Sequence, residues 1–551
     1  MLAGRSAAPG TRNGRVPRAR AFARTREGYR VGVGAVTGAV GLFLLLRLTA
    51  WPPHEDETLV FFVSHRPLPE VFDTVLGERG GAPLHYLLAH AALRLDASLG
   101  ALRALSAVFA VASVPVMAAL VARLAGRRTA LLAVVLAAAS WSLLFHGIYA
   151  RMYGLFLFTS ALSCLLLLRA LERGTRGRWA AWAAGALALL ATQPYGALVL
   201  AAGGVFTVAL RLRGRPIPLR RPLAAAGAVL VLATPLWLTY AQLASRFDVG
   251  LGQGSRSGLG SPLEVLGYLW ELLGDFAAGW PLAAIPVALL ALAGLVTLAR
   301  RTPEAAVFAG AIVLVPAAAL VATRSGGGLF LETRHLIFVL PFFAMVLAGG
   351  LLAATRRFGR ARPFVLVLGA AGIVALQVAW GISKTPWLYT GEPDARTAAR
   401  AEAAAWLAAV GRPDDVLFGY EPTYLDAALA GAPFGDIFVP RADAELALRA
   451  LRDAGEPLGR GVWVLDASDH LDRSLLRLEI PERSPGEAFE ARAFGPFLVL
   501  RTQEATGTVE EFMRTTRAVQ VLSGELGVGD AGINEATAER VLERLADEPA
   551  G

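Results

Sequence analysis

One cysteine, Cys164, stands among 551 residues, so no disulfide can form within the chain, and any part that leaves the cytoplasm must fold on its own packing. Helical zinc motifs are missing too, because no two of the seven histidines lie four residues apart, the spacing that puts two ligands on one helix face. Residues 383–501 contain neither Gly-x-Gly-x-x-Gly nor a phosphate-binding lysine loop, which leaves a nucleotide site there without support. Met1–Arg30 has no apolar core, and the apolar run after it has no small-residue cleavage site. The start is therefore expected to be a cytoplasmic arginine-rich tail leading into an uncleaved anchor.

Apolar residues make up 55% of the chain, mean hydropathy is +0.51, and runs of about 20 apolar residues recur as far as position 382. The composition predicts a polytopic α-helical membrane protein. Its eleven expected spans are 31–50, 101–123, 129–148, 152–169, 179–192, 195–211, 222–243, 280–299, 305–323, 334–354 and 363–382.

Charge orients these spans. Segments 1–30, 123–128, 169–178, 211–221, 300–304 and 355–362 carry 26 arginines and three acids, Glu27, Glu172 and Glu304. The remaining positions before 383 carry ten arginines and twelve acids. Loops rich in arginine stay in the cytoplasm, so the Trp51–Leu95 loop is expected outside. The formal charge of +9 divides unevenly: residues 383–551 hold 17 basic and 29 acidic groups, net −12, leaving +21 for the membrane part. The basic excess is thus a topology signal, and nucleic acid is not an expected partner.

The Trp51–Leu95 loop places His54, Glu55, Asp56 and Glu57 just past the first span. Carboxylates beside a bilayer are costly, and two readings fit them: a functional site, or a solvated patch at a helix end. Phe61–Leu76, broken by Pro67 and Pro69, is expected to lie in the interface, and PLHYLLAHAALRL to lead as a helix into the next span. Asp73 and Glu78 read as solvated loop acids.

Two arginines sit on the outer side against the charge rule. Arg151 lies between Tyr149 and Tyr153 in the turn joining spans three and four, and Arg334-His335 begins span ten, with Arg324 at the end of span nine. A guanidinium at that depth either snorkels to lipid headgroups or binds an anion, for which phosphate matches its fork. Thr192–Gly196 adds polar and aromatic groups to the same side. Ala244–Trp280 reads as a mobile Gly/Ser-rich loop followed by an interfacial helix. Six histidines, His54, His65, His85, His90, His146 and His335, fall on outer ends or loops.

After Gly381 short apolar strands alternate with helices, predicting a small α/β domain with a mainly parallel sheet. The expected organisation is a tail (1–30), a membrane module (31–382) with an outer loop at 51–100, an extracytoplasmic α/β domain (383–505) and a C-terminal helical tail (506–551).

Four elements in order resemble the GT-C superfamily of polyprenyl-phosphate-sugar-dependent glycosyltransferases, in the branch of the protein O-mannosyltransferases and the lipid A aminoarabinose transferase. Asp56-Glu57 is similar to that family's acidic pair. Pro83–Leu88 with the span after it is similar to its loop exit. Tyr149-Ala150-Arg151-Met152-Tyr153 is similar to its Tyr-Ala-Arg-x-Tyr turn, and Arg334-His335-Leu336 with Pro341 to its Arg-Tyr-Leu-to-Pro element, His335 standing where tyrosine is usual. The resemblance covers residues 40–170 and 330–350.

It implies an enzyme that moves a sugar from a polyprenyl-phosphate donor to an acceptor hydroxyl on a protein, lipid or glycan at the extracytoplasmic face of the cell membrane, with inversion. Asp56 would be the base and Glu57 its support or a metal ligand. Arg151 and Arg334, with Tyr153 and His335, would bind the donor's phosphate. No nucleotide is needed and no cofactor is specified, with a divalent metal an open option for which His54 and Glu57 are the candidates. The competing reading is a flippase for lipid-linked sugars; the polar residues crowd the outer ends rather than the midplane and no repeat is evident, which favours chemistry at one face.

Overall fold

In a computed structural model the described residues are 26–50, 52–79, 83–246, 267, 270, 272–323, 333–391, 396–435, 437–441, 443–466, 488–525 and 531–547. Arg324 and most of the Gly/Ser-rich stretch after Ala244 lie outside them. All eleven expected spans fall on helices or bent helix pairs. Among the described residues five helices are long and apolar enough to cross a membrane, one of them the continuous stretch Thr333–Lys384 that takes in two expected spans, or seven if each bent pair counts as one span. The pairs are Arg127–Ala138 with Trp141–Ile148, bent by 60°, and Arg220–Leu232 with Thr234–Ala241, bent by 55°. Where helices cross most closely, side chains are missing: a Cβ on Gly294 would run into the carbonyl of Val346, and one on Gly350 into that of Leu290. That is how helices pack where surrounding lipid gives them no hydrophobic drive to associate.

Between the first two long helices, Arg26–Leu45 and Leu99–Ala125, lie the acid helix Glu55–His65, a short helix Leu68–Phe72, a single-register π-helix Asp73–Arg79 and the helix Pro83–Leu95. Val60, Phe61 and Val63 of the acid helix are buried with Val71, Tyr86, Ala89 and Leu93, in a cluster that Leu102, Ala150 and Leu425 join from outside the loop. Asp73 is exposed, as a solvated acid should be.

The C-terminal domain is a five-stranded sheet of order β2-β1-β3-β5-β4, with β1 Val416–Phe418, β2 Phe438–Val439, β3 Gly461–Asp466, β4 Phe489–Phe494 and β5 Phe497–Thr502. The sheet is mixed, not mainly parallel: β1 runs parallel to β2 and β3, while β5 is antiparallel to β3 and β4. The reason is local. Only Gly495 and Pro496 separate β4 from β5, and a two-residue connection makes a hairpin, with Gly495 at φ 53° in the turn.

Alternate residues of the strands feed two apolar layers. Leu417, Val462, Val464, Phe497 and Val499 pack with Ala403, Leu407 and Tyr424 of the helices Arg396–Val410 and Pro422–Leu429. Phe418, Trp463, Leu465, Leu498 and Leu500 pack with Leu448 and Leu451 of the helix Ala444–Ala454, Phe512 and Met513 of Val509–Glu525 and Val541 of Ala531–Ala546. The last two helices therefore complete the domain core and do not trail from it.

Candidate active site

The first turn of the acid helix carries Glu55, Asp56 and Glu57 at its N-terminus, where the helix dipole favours carboxylates. Successive residues of a helix point about 100° apart, so the three acids face three environments. Each environment supplies arginine.

Glu57 is fully buried, and its oxygens accept four hydrogen bonds: Arg103 Nε at 3.0 Å and Ala150 N at 2.8 Å on Oε1, Arg103 Nη2 at 2.7 Å and His54 N at 3.1 Å on Oε2. Arg103 donates further to the carbonyls of Leu48, at 2.9 Å, and Pro52, at 3.3 Å. A carboxylate has about four lone-pair sites, and here all are taken. Glu57 is expected to support Asp56 or to hold a metal; in the structure it ties the first span, the acid helix and the Tyr149–Tyr153 turn together, a supporting place with no lone pair left over. His54 Nδ1 accepts from Asp56 N at 3.1 Å, capping the helix. Among the described residues no three His, Cys, Asp or Glu side chains are placed to share a metal ion. The donor set at His54 and Glu57 does not fit one.

Asp56 faces the remaining charges. Its Oδ2 accepts from the Tyr149 hydroxyl at 2.7 Å and lies 3.7 Å from Arg151 Nε and 3.9 Å from Arg334 Nη1. Its side chain is 28% exposed, so the carboxylate is reachable. Burial pushes its pKa up, but Arg151, His54, Arg334 and the Tyr149 hydroxyl outweigh that and hold it at about 2. The same burial, with the Asp56 charge, pushes the Tyr149 phenol well above its usual value, so the phenol stays a neutral donor.

The turn that carries Arg151 is held on several sides. Glu57 takes the Ala150 N–H, the Ser106 hydroxyl donates to the Arg151 carbonyl at 3.3 Å, and His85 hydrogen-bonds the Ala150 backbone. Burial and then the charge of Arg151 push His85 down to about 3, so it is neutral. Gly154 begins the next helix; a Cβ there would lie 2.7 Å from the Ser106 carbonyl, and its absence lets the turn settle against the neighbouring span. Arg334 sits over the Tyr153 ring at 5.8 Å, and His335 lies 6.1 Å from that ring and 4.6 Å from the ring of Tyr195. Asp56, Arg151 and Arg334 thus converge, while Tyr153 and His335 back the arginine face.

No protein-family model matches the chain, and no curated protein sequence matches it. Among solved structures it is similar to ArnT from Cupriavidus metallidurans in the apo state, with a TM-score of 0.54 and 16% identity over 86% of this chain and 98% of that one. The chain has the fold of ArnT. A second ArnT structure from the same organism, bound to undecaprenyl phosphate, aligns with a TM-score of 0.53 and 16% identity over 87% of this chain and 98% of that one. Both likenesses are of fold.

Four residues of the site have weaker sequence signals. Tyr149 was visible only as part of its turn, and His85 only as one of six outer histidines. Arg103 lies at the outer end of its span against the charge rule, the signal that marks Arg151. Arg441, which reaches Glu55, had none. The Glu57–Arg103 pair makes a prediction: Glu57→Gln leaves the Arg103 charge buried without its counterion, at a cost of about 3–5 kcal/mol. Thermal unfolding of the purified protein followed by size-exclusion chromatography should show a much lower midpoint. A Glu57→Gln protein as heat-stable as the parent but unable to act would return Glu57 to the chemistry.

Proposed function

We propose that the protein is a membrane glycosyltransferase that takes a sugar from a polyprenyl-phosphate donor and passes it, with inversion, to an acceptor hydroxyl. The observation that carries this reading is one reachable carboxylate with two guanidiniums within 4 Å of it. The ArnT structure bound to undecaprenyl phosphate supports the donor class.

Charge bookkeeping fits the step. With donor bound, a phosphodiester of charge −1, an ionised Asp56 and two arginines sum to zero. As the acceptor oxygen bonds to the anomeric carbon, its proton passes to Asp56, the bond from that carbon to the phosphate oxygen breaks, and the leaving phosphate becomes a dianion. The sum is zero again, so Arg151 and Arg334 match the charge that develops on the leaving group. Held at about 2 by the charges around it, Asp56 is too acidic to be an effective base. A donor phosphate draws both arginines from Asp56, so binding the donor raises the basicity of the carboxylate that must then act.

The short apolar helices such as Gly196–Leu212 are read as crossings, giving eleven spans with the N-terminus cytoplasmic and the α/β domain outside, in the cell membrane. Two measurements test the proposal. An alkaline phosphatase fused after Gly551 should be active, since that enzyme matures outside the cytoplasm. The purified protein should bind undecaprenyl phosphate and, with a membrane fraction bearing lipid-linked sugars, release it. Binding with translocation but no release of lipid phosphate would favour the flippase.

A further inference from the structure

Arg441 of the α/β domain makes a polar contact with the acid helix. Arg441 Nε donates to Glu55 Oε1 at 3.0 Å, and Arg441 Nη2 lies 2.9 Å from Glu55 Oε2 and 2.7 Å from Glu421 Oε1. Arg441 is presented just beyond the end of β2, and Glu421 just beyond the end of the parallel neighbour β1. Gly419, between β1 and Glu421 at φ 84°, has no side chain where one would meet Arg441: a Cβ there would lie 2.9 Å from the arginine's Cδ. Farther along the helix, Phe62 packs its ring 4.3 Å from that of Phe438, and Leu425 of the domain is buried among Val60, Phe61 and Val63.

We infer that the α/β domain is a positioning part of the active site, with Arg441 as the residue that fixes the first turn of the acid helix from outside. Glu57 and Arg103 fix that turn from the membrane side. Two anchors on opposite flanks set its rotation about the helix axis, and Asp56, between them in sequence, takes its aim from both. Glu421 alone would neutralise Arg441 within the domain; the fork to Glu55 is the added link that couples the domain to the helix. Arg151 and Arg334 belong to other elements, so loosening this link displaces the carboxylate and leaves the phosphate ligands in place.

The inference rests on the transferase reading for its kinetic readout, and its structural readout stands apart from that reading. The full-length protein in lipid nanodiscs, as Arg441→Ala, Arg441→Lys and Glu55→Gln, is compared with the parent. The Glu55→Gln variant removes the charge and one of the two acceptor oxygens from the membrane half of the link and leaves the Arg441–Glu421 pair intact, so it reports even where Arg441→Ala does not fold. Amide hydrogen exchange in residues 55–60 should quicken by about tenfold in Arg441→Ala and Glu55→Gln. Affinity for undecaprenyl phosphate should stay within about threefold, kcat should fall by about 10- to 100-fold at nearly constant donor KM, and Arg441→Lys should recover part of both losses. Unchanged exchange and unchanged kcat in Glu55→Gln would overturn the inference, as would loss of kcat accompanied by loss of undecaprenyl phosphate binding. A parent protein that does not bind undecaprenyl phosphate rejects the transferase reading, and the exchange rates then decide the positioning role on their own.

Discussion

Asp56→Asn is expected to give a folded protein that binds undecaprenyl phosphate at least as tightly as the parent and transfers almost no sugar. Asparagine keeps the size of the side chain and a partner for the Tyr149 hydroxyl, which donates to Asp56 at 2.7 Å. It cannot take a proton at neutral pH, and removal of a positioned base lowers rates by about 10²–10⁴-fold. The binding half of the expectation is the more specific. Asp56 competes for the arginines that a phosphate would need, at 3.7 Å and 3.9 Å, and asparagine ends the competition. Weaker lipid-phosphate binding by Asp56→Asn, measured by titration, would contradict the shared-arginine arrangement even if transfer were lost. Near-normal transfer would remove Asp56 from the chemistry.

Arg151→Lys and Arg334→Lys should each weaken undecaprenyl phosphate binding by about tenfold or more. A charge-assisted hydrogen bond contributes about 1.5–3 kcal/mol, and about 1.4 kcal/mol is tenfold in affinity. Lysine keeps the charge and loses the planar fork, so these variants separate geometry from charge. Arg151 should be the more sensitive, because its side chain is 14% exposed against 31% for Arg334 and lies in the turn that Glu57, Ser106 and His85 immobilise. Equal affinity in parent and both variants would reject the phosphate assignment.

The residues legible in the sequence were those whose charge conflicted with their own neighbourhood. Asp56 beside a span, and Arg151 and Arg334 on the outer side, are local anomalies that need no knowledge of what they touch. Glu57 looked like Asp56 for the same reason, and only its partner separates them: Arg103 lies 46 positions away, a pairing that neither spacing nor composition encodes. The link from Arg441 to Glu55 spans 386 positions and was still less visible. In the α/β domain β1, β3 and β5 are readable because both faces of each are largely apolar, while β4 alternates apolar with charged residues, and the direction of β5 is decided by the two-residue connection before it.

Three acids in one helical turn also constrain how this gene can change. Deleting a single codon between those for His54 and Glu57 would turn the following carboxylates by about 100° on the helix, presenting to Arg103 or Arg441 a group that otherwise faces Arg151 and Arg334. Substitutions at Glu55 or Glu57 alter one contact each, whereas a one-residue frame of insertion or deletion exchanges all three roles at once. The distance along the chain from the end of the first span to Asp56 should therefore be fixed among functional descendants.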